Sequence, residues 1–156
     1  MNSGFDPHTA ITFAATLPTL LVAHHVADHW VQTSHQAAAK SAKGNAGRAA
    51  CAAHVATYTA VTASGVGMVW GALGLPISAS GFFTGQLVSA ATHYWADRRS
   101  TLARFAELVG NGEFYRLGAP RSGKDDNPHL GTGAYVLDQS WHWLWLFAAA
   151  LITALL

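Results

Sequence analysis

Four stretches of the chain stay apolar long enough to set its architecture: about Thr9 to Val31, Ala49 to Leu73, Pro76 to Ala96, and Ala134 to Leu156. Crossing a hydrocarbon core takes roughly 20 mostly apolar residues at about 1.5 Å each, so the pattern predicts four transmembrane helices in a single all-α domain, residues 1–156. The third stretch is the least hydrophobic. Its Ser78, Ser80, Thr84, Gln86 and Ser89 predict a helix that faces other helices rather than lipid. Two Gly-x-x-x-Gly patterns, Gly67 with Gly71 and Gly81 with Gly85, mark places where neighbouring backbones can approach closely.

The connections carry their own signals. Gly74-Leu75-Pro76 reads as a helix stop followed by a proline start, which makes the second and third helices antiparallel neighbours. Thr33 to Arg48 reads as a polar continuation of the first helix that breaks near Gly44-Asn45. The longest connection, Arg98 to Gly133, opens with an amphipathic helix (Leu102, Phe105, Leu108, Val109) and then becomes rich in Gly and Pro. It is expected to lie on a membrane surface and cover a site.

Composition agrees with a membrane bundle: 51% of residues are apolar and 11% charged, far from an ordinary soluble surface. The net charge of +1 excludes a nucleic-acid binder, which needs a basic stripe to neutralise phosphates. The single cysteine, Cys51, excludes an internal disulfide framework and a Cys-rich zinc module, and is read as a small buried apolar residue. Met1 to Pro7 holds no Lys or Arg, so the first apolar run is read as a mature helix rather than a cleaved signal.

Charge orients the bundle. Lys40, Lys43 and Arg48 lie in the first connection, and Arg98, Arg99, Arg104, Arg116, Arg121 and Lys124 in the third; these are all nine basic residues. Lys and Arg are retained on the cytoplasmic side. The expectation is a multi-pass inner-membrane protein with both termini extracytoplasmic.

The candidate chemistry lies in the ionisable residues within these spans, which cost several kcal/mol each unless paired, hydrated or bound to metal. His24 and Asp28 are four apart near the end of the first helix, His93 and Asp97 repeat the spacing at the end of the third, and Asp138 and His142 reverse it near the start of the fourth. His54 lies about a turn inside the second. A spacing of four puts two side chains on one helix face, and the topology brings all seven to the cytoplasmic side. Any single pair is best explained as a His and a carboxylate satisfying each other. Three pairs and a fourth histidine at one level point instead to a metal, because structural pairs have no reason to collect at one depth. Four imidazoles and three carboxylates suit zinc, manganese or iron, and seven donors exceed one tetrahedral ion, so one or two ions are expected, two of them bridged by a carboxylate. His25 and His29 are assigned an outer or interfacial role, His35 and His129 solvated loops, and His8 the opposite side. Trp30, Trp95, Trp141, Trp143 and Trp145 are expected as interfacial or lipid-facing anchors.

The runs His24-His25-Val26-Ala27-Asp28-His29-Trp30-Val31-Gln32, His54, His93-Tyr94-Trp95-Ala96-Asp97 and Asp138-Gln139-Ser140-Trp141-His142 resemble the signature of domain of unknown function 3307, a family of small bacterial and phage membrane proteins. The resemblance covers nearly the whole chain. The family pattern has an aromatic residue directly after the aspartate and then a glutamine; here His29 intervenes, with Trp30 next. That family is in turn similar to inner-membrane metal-dependent hydrolases, which implies hydrolysis of an ester or phosphoester and carries no substrate with it.

A hydrolytic site would use Asp28 or Asp97 as general base, with Gln32 and Gln139 orienting ligands or substrate. Arg98, Arg99, Arg121 and Lys124 are first topology determinants and headgroup contacts, and secondarily candidates to neutralise a phosphate. The inner leaflet favours a lipid or phosphoester substrate. Three alternatives stand beside this: a phage-type effector or interaction protein with a structural metal, a di-iron oxidase, and a metal transporter. A di-iron enzyme would carry clustered His-x-x-His-His boxes, and a transporter would carry ionisable groups through the outer half of the membrane.

Overall fold

The computed structural model describes residues 6–123 and 131–156, whose regular elements are all helices, with no strand among them. Lys124 and His129, and Met1 to Phe5, lie outside the described residues. Asp6 caps helix α1 (Pro7–Val26), its carboxylate accepting from the His8 and Thr9 amides and the Thr9 hydroxyl; these bonds, that of the Thr9 hydroxyl foremost, hold its pKa below the ordinary carboxylate value. One π turn, Ala27–Val31, continues α1 and closes with a bond from the Gln32 amide to the Ala27 carbonyl.

The polar connection is not an extension of α1. Gln32 leaves helical geometry, and Thr33 with Gln36 forms a reciprocal capping box that starts a separate helix, α2 (Ser34–Ala39). Helix α3 (Gly44–Leu73) begins at the predicted break, five residues before the expected Ala49, at a glycine with φ +80°. It ends at Gly74 in the left-handed conformation, as the Gly-Leu-Pro link requires. Helix α4 (Ala79–Asp97) starts three residues after Pro76 because Ser78 is the residue that caps it. Two short helices follow, α5 (Ser100–Leu108) and α6 (Gly112–Arg116), and α7 (Gly133–Leu155) closes the chain. In α5 only Leu102 of the expected apolar face is buried, together with Ala106, while Leu108 and Val109 are exposed.

The four long helices close a ring in which α1 and α4 each pack on both α3 and α7. The tightest approach is α4 on α7. A Cβ at Gly81 would stand 2.9 Å from the Thr153 carbonyl oxygen, and one at Gly85 the same distance from that of Ala149. Gly67 and Gly71 meet nothing, so that pair does not mark a contact among the described residues; Gly65, beside Thr19 and Ala23, takes that role between α3 and α1.

By length and composition one helical stretch among the described residues, Pro7–Val31, is apolar enough to cross a membrane. Of the four expected spans, that measure singles out the first alone, since α3, α4 and α7 are diluted by Gly, Ala, Ser, Thr and their own His and Asp residues. Apolar side chains lie outside as well as in the core cluster around Leu20, Val66 and Leu146, and polar side chains lie among the buried ones. Val22, Met68, Phe83, Leu87 and Leu144 are exposed, while Thr12, Thr16, Thr62, Gln86 and Ser89 are buried. Several hydroxyls, those of Thr19, Thr59, Thr92 and Thr153, donate to carbonyls one turn back in their own helices.

Candidate metal centre

The seven sequence-selected residues come from all four long helices and gather at one end of the ring. His24 closes α1, and Asp28 stands on the widened π turn just beyond it. His54 is ten residues into α3, because that helix starts early. His93 and Asp97 lie on the last turn and a half of α4, and Asp138 and His142 on the second and third turns of α7.

Four of them form a tight quartet. The Nε2 atoms of His54 and His93 are 3.0 Å apart. Asp28 Oδ1 lies 3.4 Å from the first and 3.5 Å from the second, and Asp97 Oδ2 lies 3.2 and 3.3 Å from them. Both carboxylate oxygens are buried yet accept no hydrogen bond, so the nitrogens do not point at them. Four donors held about 2.0–2.1 Å from one tetrahedral ion stand about 3.3–3.4 Å from each other. The nitrogen–nitrogen distance and the four nitrogen–oxygen distances, 3.0 to 3.5 Å, lie near that figure, and two imidazoles with two carboxylates are a donor set that zinc accepts.

The other three residues surround the quartet. His24 Nδ1 is 3.6 Å from Asp28 Oδ2, and neither of its ring nitrogens has a hydrogen-bond partner although the side chain is fully buried. The His142 ring stacks on that of His24 at 5.0 Å and approaches that of His93 at 4.4 Å. His142 Nδ1 lies 2.8 Å from the Asp138 carbonyl. A carbonyl only accepts, so Nδ1 donates this bond, while Nε2 is buried and without a hydrogen-bond partner. Asp138 is the open edge, its side chain 28% exposed, with Gln139 Nε2 donating to its Oδ2 at 3.3 Å. Three subsets of these residues bring one donor atom each within 4.8 Å of one another: His24, Asp28 and His93; His54, His93 and Asp97; Asp97, Asp138 and His142. The chain thus holds buried His/Asp clusters able to bind a metal.

Two side chains that the sequence did not single out hold the centre in place. Tyr58 stacks on His93 with ring centroids 3.8 Å apart and shares a 2.7 Å hydrogen bond with Ser89. A signal for it existed, since Tyr58 is one turn after His54 and Ser89 one turn before His93. Lys40 is buried, with Nζ 2.9 Å from Asp97 Oδ1. Nothing in its local sequence marks it.

The remaining candidates separate. His25 and His29 stack on each other outside the quartet, and His8 and His35 are exposed. Gln32 Nε2 is buried but bonds nothing. Arg98 turns to the Lys40 and Ala42 carbonyls. Trp30 is exposed, whereas Trp95, Trp141 and Trp145 pack on one another, with Phe105 of α5 against the first two. These three tryptophans are therefore a seam between α4, α5 and α7 rather than separate anchors. Cys51 is fully buried. Close to the open edge, burial pushes the Tyr115 hydroxyl pKa up, and the Asp138 carboxylate adds to the shift.

The chain matches, over residues 16–156, the family described as protein of unknown function (DUF3307), and it belongs to that family. No curated protein and no solved structure matches it.

Proposed function

We propose that this member of the DUF3307 family is a membrane-embedded, metal-dependent hydrolase that acts on an ester or phosphoester at the cytoplasmic leaflet. The observation that carries the proposal is the quartet of Asp28, His54, His93 and Asp97, four buried donor atoms from three separate segments, with the two nitrogens 3.0 Å apart and each carboxylate oxygen 3.2 to 3.5 Å from both. Zinc is the best fit to two nitrogens and two oxygens, with manganese and iron behind it.

The membrane setting is supported by the distribution of polarity. A bundle that exposes Val22, Met68, Phe83 and Leu87 and buries threonines, a glutamine and four histidines is arranged for an apolar solvent. Threonine hydroxyls bonded to carbonyls of their own helices need no water. The basic residues flank the end of the ring that carries the centre, and with Lys and Arg retained inside this is the cytoplasmic end of a four-span, multi-pass inner-membrane protein with both termini outside.

A divalent ion in the quartet would supply Lewis acidity and a water of lowered pKa. The protein's own part is to orient and to move a proton. Asp28 and Asp97 each have an oxygen in the quartet, which makes Asp138, partly exposed at the open edge, the better placed general base. His142, whose Nε2 is buried and without a hydrogen-bond partner, stands one turn from it.

One observation favours a rival. Four protein donors form a closed set, which is the habit of structural zinc sites, so a non-catalytic protein with a structural metal is the second reading. A transporter is disfavoured by Leu20 and Leu146, fully buried one turn from His24 and His142 on the side away from the basic loops. The test is metal analysis of detergent-purified protein followed by turnover assays on a nitrophenyl ester, a nitrophenyl phosphodiester and a phospholipid. One or two equivalents of metal with turnover of any of the three, lost on chelation, supports the hydrolase. Metal without turnover supports the structural reading, and no metal overturns both.

A further inference from the structure

A lysine in a polar connection ordinarily extends its ammonium to water. Lys40, at the end of the short helix α2, does the opposite: it is 7% exposed, and its Nζ meets Asp97 Oδ1 at 2.9 Å. Burying an ammonium is costly unless a charge of opposite sign meets it, so the pairing demands a seat that is built elsewhere. That seat has three parts. The Thr33 and Gln36 capping box fixes the start of α2, and the Lys40 amide bonds the Gln36 carbonyl. The Arg98 guanidinium donates to the Lys40 and Ala42 carbonyls, both at 2.6 Å. Gly47, in the first turn of α3, lies against the Ala42 carbonyl so closely that a Cβ would not fit.

Asp97 is thereby divided between two partners. Oδ2 faces His54 and His93 inside the quartet, and Oδ1 is taken by an ammonium at hydrogen-bond length. A carboxylate that bridges two cations needs both oxygens free, and Lys40 already supplies the second positive charge.

We infer that Lys40 is the positioning residue of the metal centre: it holds Asp97 to one-oxygen ligation and stands where the second cation of a carboxylate-bridged pair would bind, so that the centre takes a single ion. This inference rests on the metal centre proposed above. It turns the availability of Asp97 as a bridge into a property of one side chain.

Cobalt(II) reads both the number of ions and their coordination. The detergent-purified full chain is expected to take one equivalent and to develop the intense visible bands of a four-coordinate ion. Lys40→Met frees Oδ1, so the bands weaken as Asp97 becomes bidentate or a second equivalent binds, and affinity for the first ion falls by about 10- to 100-fold. Lys40→Arg, which keeps a cationic donor, restores the wild-type bands. Arg98→Met, which loosens the seat without touching the pair, shifts the titration in the same direction by less, and it decides the matter if Lys40→Met does not survive purification. Two equivalents in the wild type, or variants with wild-type spectrum, stoichiometry and affinity, overturn the role of Lys40 and leave the metal centre standing. No cobalt uptake by the wild type overturns the centre and the role of Lys40 together.

Discussion

The imidazoles of His54 and His93 meet nitrogen to nitrogen, with 3.0 Å between their Nε2 atoms. Two such nitrogens at this distance share either one proton or one cation. With a carboxylate oxygen from Asp28 and another from Asp97 within 3.5 Å of both, a dication satisfies all four atoms at once, whereas one proton satisfies a single pair.

The quartet and the open edge should separate on mutation. Asp97→Asn and Asp28→Asn are expected to lower metal retention by at least about tenfold, the scale on which even outer-shell partners of metal ligands act. Asp138→Asn should keep the metal and lose turnover. Elemental analysis of desalted protein checks this; an Asp138→Asn protein as empty as Asp97→Asn would make Asp138 a ligand instead.

Metal removal should destabilise the bundle, because the ion ties α1, α3 and α4 together. Ligand present at about 1,000 times its Kd contributes about 4 kcal/mol, so chelation should lower the unfolding midpoint in detergent by on the order of 10 °C. Adding back zinc should restore it, and a midpoint indifferent to chelator would contradict the centre.

Tyr58 offers a graded probe of His93. Tyr58→Phe keeps the stacked ring and removes the bond to Ser89, a loss of about 1 kcal/mol with metal retained. Tyr58→Ala removes the ring as well, about 3–5 kcal/mol, and should weaken metal binding. Thermal unfolding alongside metal titration distinguishes the two, and equal metal affinity in both variants would show that Tyr58 does not position His93.

Helix packing can be read from the glycines. Gly85→Val should disrupt the α4–α7 contact, since a Cβ there would crowd the Ala149 carbonyl and Thr153, whereas Gly67→Ala and Gly71→Ala, which meet open space, should leave the bundle intact. Gel filtration in detergent reports the difference.

Orientation is testable apart from the chemistry. A reporter fused after Leu156 should behave as extracytoplasmic if the basic residues set the topology; a cytoplasmic result would reverse the bundle and place the centre at the outer face.

The sequence by itself determined the helices and the candidate donors, because both are local. Gly74, Pro76 and the apolar runs set, to within a few residues, where α3 ends and where α4 and α7 lie, and spacing of four marks His24 with Asp28, His93 with Asp97 and Asp138 with His142 on shared helix faces. The π turn under Asp28 and the separate helix α2 were not legible, since the first has no compositional mark and the second depends on a capping box inside a stretch that reads as continuous. Only the tertiary structure decided which donors meet. It drew His54, His93 and Asp97 together with Asp28 against the two imidazoles, set His24, His142 and Asp138 around them, and turned Lys40 inward onto Asp97. The physical reason is that a helix fixes the direction of a side chain but not its partner. The partner follows from the rotation and approach of neighbouring helices, set here by contacts such as Gly81 and Gly85 against α7 and Arg98 against the Lys40 carbonyl, between residues far apart in the chain.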